Sequence, residues 1–90
     1  MAQIRGLIER RKEYPVQARK AGQTGTTMVS FILGKNGELK EARIAVPSGR
    51  MLLDRAALRA VESVRRFPPF PVDTWGDSHT FQVPISFRIE

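Results

Sequence analysis

The sequence predicts an α+β fold with two layers: a three-stranded sheet in the order 2-1-3, with an N-terminal helical segment and one main helix packed on one face. Three observations predict it: two segments with helical spacing, two apolar segments around a glycine-rich turn, and a C-terminal segment that alternates strictly. Ninety residues, 41% of them hydrophobic, suit one domain. We predict a single domain over 1–90, with 1–13 as the N-terminal helix or the end of a linker and 14–90 as the core.

Three apolar residues near the N-terminus recur at helical spacing among charged neighbours: Ile4, Leu7 and Ile8. This stripe predicts a short helix that runs to about Glu13. Tyr14 and Pro15 end it, because the residue before a proline avoids the helical region. Since proline suits the first position of a helical turn, we expect a second short helical turn over 16–21.

A hairpin is predicted next. Residues 26–33 are rich in β-branched and apolar side chains, and the Gly-Lys-Asn-Gly turn at 34–37 returns the chain into a second strand at 38–46. Three residues of that strand alternate toward one face: Ala42, Ile44 and Val46. Leu39 falls out of this phase, which indicates a bulge or a position still in the turn.

The main helix is predicted after the turn at 47–50, where five apolar residues repeat at helical spacing: Leu53, Ala57, Ala60, Val61 and Val64. Pro68 and Pro69 end it, and 67–71 reads as an extended crossover. The last segment predicts a half-buried strand with five inward side chains: Phe81, Val83, Ile85, Phe87 and Ile89.

A right-handed crossover places this last strand beside the first, at an edge of the sheet. Pro84 has no N–H, and proline is tolerated where the missing donor would face outward. We therefore expect the backbone groups of the even-numbered residues to face the open edge, which leaves Gln82, Ser86 and Arg88 free to pair with an extended peptide.

The sequence indicates binding rather than catalysis. It holds no cysteine and one histidine, His79, and no nucleophile stands in a recognisable catalytic motif, so we predict no enzyme activity, no metal and no cofactor. Most of the net charge of +6 lies in 1–20. A small nucleic-acid-binding module that uses this basic helix is therefore the alternative function.

Taken in order, the motifs of this chain resemble the TonB C-terminal domain family over about Tyr14 to Glu90. They are Tyr14-Pro15, Gly25 leading into Val29-Ser30-Phe31, Asn36-Gly37, Ser48-Gly49, Leu53 to Ala57 with Ala60-Val61, Phe67 to Pro71, and Val83 to Phe87. The resemblance implies the fold described above. It also implies the receptor-binding domain of an energy transducer that couples proton-motive force to uptake of siderophores, haem or cobalamin across the Gram-negative outer membrane.

In that family the last strand pairs with the TonB box, an extended periplasmic segment of outer-membrane receptors, and the Tyr-Pro segment lies near the contact. By position, the resemblance assigns partner binding to Gln82, Val83, Pro84, Ile85, Ser86, Phe87 and Arg88, with Tyr14 and Pro15. Full members contact ExbB and ExbD through an N-terminal membrane anchor. We therefore expect this chain to be the periplasmic domain of an inner-membrane-anchored protein.

Three further expectations concern the residues before Tyr-Pro, the fold and the open edge. The best-known family members have glutamine and proline before Tyr-Pro, whereas this chain has a basic run, so we hypothesise that Arg10 and Arg11 bind acidic receptor surfaces. The fold also resembles that of TolA, so a TolA-like envelope interaction domain is another alternative. An isolated domain with an open edge can also pair with a second copy, so a homodimer of the truncated domain is a third alternative.

Overall fold

The computed structural model describes residues 2–64, 66–68 and 77–89. The described elements follow the predicted order: α1 (Ala2–Arg11), α2 (Val16–Lys20), β1 (Gly25–Gly34), β2 (Leu39–Val46), α3 (Met51–Glu62) and β3 (Ser78–Phe87). Most of the expected crossover at 67–71, from Pro69 onward, lies outside the described residues. Within the described ranges, no helix combines the length and the apolar character needed to cross a membrane.

The sheet is antiparallel with the order β2-β1-β3, so the predicted fold is confirmed. β1 is central because both of its sides are paired, with β2 on one side and β3 on the other. The β1–β3 register runs without a shift from the pair Gly25 and Phe87 to the pair Gly34 and Ser78. The far side of β3 is paired with no strand of the described chain, which makes β3 the predicted edge.

β2 carries two irregularities against β1. One comes immediately before Leu33, which lies opposite Leu39, and confirms the irregularity expected there. The other lies between Met28 and Val29 and leaves Val46 opposite Met28 on the outer face, where Val46 is 58% exposed. The expectation that Val46 shares one face with Ala42 and Ile44 is therefore wrong, because this second shift turns its side chain to the other face.

The core lies between the sheet and the helices, and all five apolar positions predicted for the main helix are buried in it. Ile4 and Ile8 bring α1 into the same core. On β3 the alternation is buried through Phe87, but Ile89 is 46% exposed. The expectation for Ile89 is wrong because β1 begins at Gly25, so Phe87 is the last β3 residue with a partner on β1.

The β1–β2 turn is held against the chain that follows α3. The backbone N–H of Phe67 donates a hydrogen bond of 3.0 Å to the carbonyl oxygen of Gly37. Gly37 has a φ of +88°, and a Cβ at this position would collide with the Phe67 carbonyl group. The Phe67 ring stacks on Phe31 with 5.5 Å between centroids, so turn, core and crossover meet at one point.

Asp54 in the first turn of α3 ties the helix to β1. Its Oδ1 accepts hydrogen bonds from the Thr27 hydroxyl at 2.7 Å, the Ser48 N–H at 2.9 Å and the Ser48 hydroxyl at 2.8 Å. Partial burial opposes ionisation of Asp54, but these hydrogen bonds from Ser48 and Thr27 outweigh it and hold the pKa of the carboxyl below its usual value. This cluster fixes α3 on the sheet.

Candidate partner-binding site

The backbone groups of Ser86 face the open edge of β3, as the position of Pro84 predicts for the even-numbered residues. Lys12 Nζ donates a hydrogen bond of 2.5 Å to the backbone oxygen of Ser86, so this carbonyl points away from β1. The hydroxyls of Ser86 and Thr26 lie 3.0 Å apart, as expected for a non-hydrogen-bonded pair, in which side chains approach closely. Pro84, two residues before Ser86, has the same phase, so the side of its backbone that has no N–H faces the open edge and not β1.

Among the other residues predicted to bind a partner, the odd-numbered ones are buried and the even-numbered ones Gln82 and Arg88 are exposed. Side chains of Val83, Ile85 and Phe87 are buried in the core, so these residues cannot offer side chains to a partner. Gln82 and Arg88 are exposed, and by alternation their backbone groups face the open edge. From Gln82 to Arg88 the edge thus offers backbone groups over a stretch of about 20 Å, at about 3.4 Å per residue.

A cleft of about 910 Å³ lies between this edge and the N-terminal segment. One wall is the end of β3 and the residues after it, including Pro84, Ser86 and Arg88. The other wall consists of residues from α1, the linker after it and α2: Arg5, Glu9, Lys12, Tyr14 and Arg19. The described lining is therefore rich in positive charge and hydrogen-bond donors, which suits it to binding an extended, electronegative segment.

Lys12 bridges the two walls of the cleft. Besides its hydrogen bond to Ser86, its ammonium lies 3.0 Å from the carboxylate of Glu9 and 5.4 Å from the centroid of the Phe87 ring. The side chain is 24% exposed. A hydrogen bond, a salt bridge and a cation–π contact thus hold the Lys12 ammonium at the Ser86 carbonyl oxygen, where the N–H of an added strand would bind.

Tyr14 positions the segment that carries Lys12. Its hydroxyl donates a hydrogen bond to the backbone oxygen of Gln23, and its ring meets Phe87 edge-on, with centroids 5.4 Å apart and planes at 80°. The hydroxyl is therefore engaged within the chain, while the ring forms part of the cleft wall. Tyr14 fixes the distance between the linker and the end of β3.

The structure brings only some of the site residues predicted from the sequence together. Tyr14, Pro84, Ser86 and Arg88 line the cleft. Pro15 and Arg11 line a second groove, of about 280 Å³, against Ala56 and Ala60 of α3. Arg10 is exposed and lines neither of these grooves.

The sequence-based site residues did not include Arg5, Glu9, Lys12 and Arg19. A signal for three of them was present: Arg5, Glu9 and Lys12 are spaced i, i+4 and i+7, which places them on one face of a helix. In the parts of the chain that the structure describes, no group of three or more histidine, cysteine, aspartate or glutamate side chains is arranged to hold a metal ion.

Comparison with protein families gives one matching family model, described as the C-terminal domain of the Gram-negative bacterial TonB protein, over residues 10–89. Protein TonB of Pasteurella multocida is 40% identical over 86 residues, which are 96% of this chain and 32% of that protein. Protein TonB of Haemophilus influenzae is 36% identical over 87 residues, 97% of this chain and 31% of that protein. The chain thus spans about a third of the length of the curated relatives it matches.

Solved structures share the fold. An NMR structure of the Helicobacter pylori TonB C-terminal domain has a TM-score of 0.85 and 24% identity, and the match covers 99% of this chain and 79% of that one. TolAIII bound to a peptide from the N-terminus of TolB has a TM-score of 0.74 and 20% identity, with coverage of 99% and 73%. Together with the family model, which matches nearly all of the chain, these findings show that the chain belongs to the family of TonB C-terminal domains.

Proposed function

We propose that this domain binds the TonB box of outer-membrane transporters by adding it as a strand to the open edge of β3. The observation that carries the proposal concerns the Ser86 carbonyl, which points away from β1. Its oxygen accepts a hydrogen bond from the side chain of Lys12 and not from a neighbouring strand. An incoming backbone N–H can replace that lysine. Backbone hydrogen bonds would then supply affinity, and the cleft walls would supply specificity.

Two comparisons support this proposal. Membership of the TonB family indicates a partner in the outer membrane, because the relatives are TonB proteins. TolAIII, which has the same fold, was solved with a bound peptide, so a fold of this kind is able to bind one. We assign the contact here to residues 82–88, with Tyr14 and Pro15 flanking it.

In the whole protein, this domain would be the periplasmic, receptor-binding part of an energy transducer. Such a protein would couple proton-motive force at the inner membrane, through an anchor that meets ExbB and ExbD, to the import of siderophores, haem or cobalamin. We infer that residues 1–90 act as one domain in that chain, because α1 shares the core with α3 and the sheet.

Reversible binding suits such a role. About five added backbone hydrogen bonds, at roughly 1 kcal/mol net each, together with modest side-chain burial and the ordering cost of the peptide, give a Kd on the order of micromolar. The same open edge could pair with a second copy of the domain. Sedimentation at rising concentration distinguishes that use of the edge from peptide binding.

The test is a titration of the isotope-labelled domain with a TonB-box peptide from a Gram-negative transporter, followed by backbone amide shifts in NMR spectra. We expect saturable shifts that cluster at residues 82–88 and near Tyr14. Shifts that avoid β3 would contradict strand addition. A parallel titration with an oligonucleotide addresses the alternative function, for which shifts confined to 5–20 and abolished by salt are expected.

A further inference from the structure

Four cations of the described chain face the cleft beside β3, but only one of them has an anionic partner among the described residues. The four are Arg5, Lys12, Arg19 and Arg88. Glu9, the only acid among the described residues that line the cleft, pairs with Lys12 at 3.0 Å. Among the described residues, no carboxylate lies within 4.0 Å of the three arginines. The cleft therefore has an excess of positive charge that the described chain does not neutralise.

Strand addition changes the surroundings of Lys12. A partner N–H that binds the Ser86 oxygen displaces the ammonium from its 2.5 Å hydrogen bond. The Lys12 side chain is only 24% exposed and lies over the Phe87 ring, so water replaces the lost acceptor incompletely. A carboxylate on the incoming strand restores the lost interaction, whereas a neutral side chain does not.

The side chains of an added strand alternate between the two faces of the sheet. Those on the helix-bearing face turn toward α1 and the linker after it, where the cations Arg5 and Lys12 form one wall of the cleft. Those on the other face turn away from this wall. Only every second position of the partner therefore meets Arg5 and Lys12.

We propose that the cleft selects an extended peptide that carries a carboxylate side chain beside the residue paired with Ser86. This inference rests on the proposed strand addition and names the chemistry of the partner. It also changes the assignment of the acid-binding residues. Arg5, Lys12 and Arg19 form the acid-binding wall, in place of Arg10 and Arg11.

The first measurement uses the TonB-box peptide in pairs of forms, with glutamate or glutamine at each position in turn. At about 50 mM salt we expect the glutamate form to bind about three- to tenfold more tightly at alternate positions only, and the preference to vanish near 0.5 M salt. The same preference at every position would overturn the inference, because it would report the net charge of the domain and no defined wall.

The second measurement compares two double variants that lower the net charge equally. Arg5→Gln with Arg19→Gln removes two arginines of the cleft, whereas Arg10→Gln with Arg11→Gln removes two exposed arginines outside it. We expect the first pair to reduce the glutamate preference below about twofold and the control pair to leave it unchanged. Equal losses in both would contradict the assigned wall.

The outcomes separate this inference from the proposed function. If glutamate and glutamine peptides shift the β3 amides with equal affinity, the acidic preference is wrong and strand addition stands. If no peptide shifts those amides, strand addition itself is wrong. Dispersed amide spectra of each variant establish that it is folded, as we expect for substitutions at exposed arginines.

Discussion

Lys12 donates its hydrogen bond to the Ser86 carbonyl oxygen, an acceptor that an added strand would also use, so the chain itself occupies part of the open edge. We predict that Lys12→Met, which keeps the apolar stem over Phe87, raises affinity for a glutamine-only peptide. Breaking one net hydrogen bond costs about 1 kcal/mol, so the gain is expected to be about two- to tenfold. Lys20→Met at the exposed end of α2 is the matched control, and anisotropy titration measures both. An unchanged affinity would show that Lys12 does not compete with the peptide.

Ser86→Pro tests the phase of the edge directly. The substitution removes an N–H that faces outward, so we expect it to spare most of the fold and to reduce peptide affinity about tenfold. Ser86→Ala keeps that N–H and removes only the contact with the Thr26 hydroxyl. Its affinity should stay within about twofold of that of the parent chain. If the proline variant binds as tightly as the alanine variant, the Ser86 N–H points inward and the edge assignment is wrong.

The Tyr14 hydroxyl is predicted to act on stability more than on recognition. Tyr14→Phe deletes the hydrogen bond to the Gln23 carbonyl and retains the ring contact with Phe87. We expect urea unfolding to show a loss of about 0.5–1.5 kcal/mol. Peptide affinity should change little, since the ring still supports the linker. A large loss of affinity without loss of stability would instead place the hydroxyl in contact with the partner.

The lowered pKa of Asp54 predicts that the domain loses stability in acid. Its pKa is lower in the folded chain than the value of 3.8 expected for a free carboxyl, so the unfolded state binds the proton more readily. The stabilisation is therefore complete above that value and falls as pH drops through the lower folded pKa. Asp54→Asn should lower the free energy of unfolding by about 1–3 kcal/mol at neutral pH and flatten its decline below about pH 4. Urea unfolding at several pH values checks both parts.

Alanine substitutions at Gly37 and Gly49 distinguish the cost of a strained backbone from the cost of a steric collision. Both have positive φ, +88° and +92°, but only at Gly37 would a Cβ meet another group, the Phe67 carbonyl. Gly49→Ala should therefore cost about 1 kcal/mol, the cost of the left-handed conformation alone. Gly37→Ala should cost clearly more, because the turn must also move away from Phe67. If thermal unfolding shows equal losses of stability for the two variants, the chain at Phe67 moves away from the added Cβ at no energetic cost.

Local periodicity predicts the elements of this fold well. The strict alternation of β3, the apolar stripe of α3 and the Gly-Lys-Asn-Gly turn are properties of neighbouring residues, so they are readable without coordinates. The predictions for Val46 and Ile89 were wrong because local periodicity does not determine their positions. Their burial depends on a register shift opposite Met28 and on where β1 begins, and both are set by pairing between distant segments.

The candidate site divides in the same way. Pro84 alone indicates which side of β3 is open, because a missing N–H is a local chemical fact. The contact of Lys12 with Ser86 depends on where α1 lies against the sheet, which the sequence of α1 does not specify. Proximity to Tyr14 favoured Arg10 and Arg11, but helix rotation brings Arg5, Glu9 and Lys12 to the cleft instead.

The unbroken pairing of β1 with β3 has a consequence for how the chain folds. The β1–β2 hairpin joins neighbours in sequence and can form within about 1–10 μs, whereas β3 must return from the far end of the chain. We therefore expect its ten-residue ladder to carry most of the loop-closure cost and to limit the folding rate. The strand that exposes the open edge is thus expected to assemble last, and a growing chain gains its partner-competent surface only after β3 has been added.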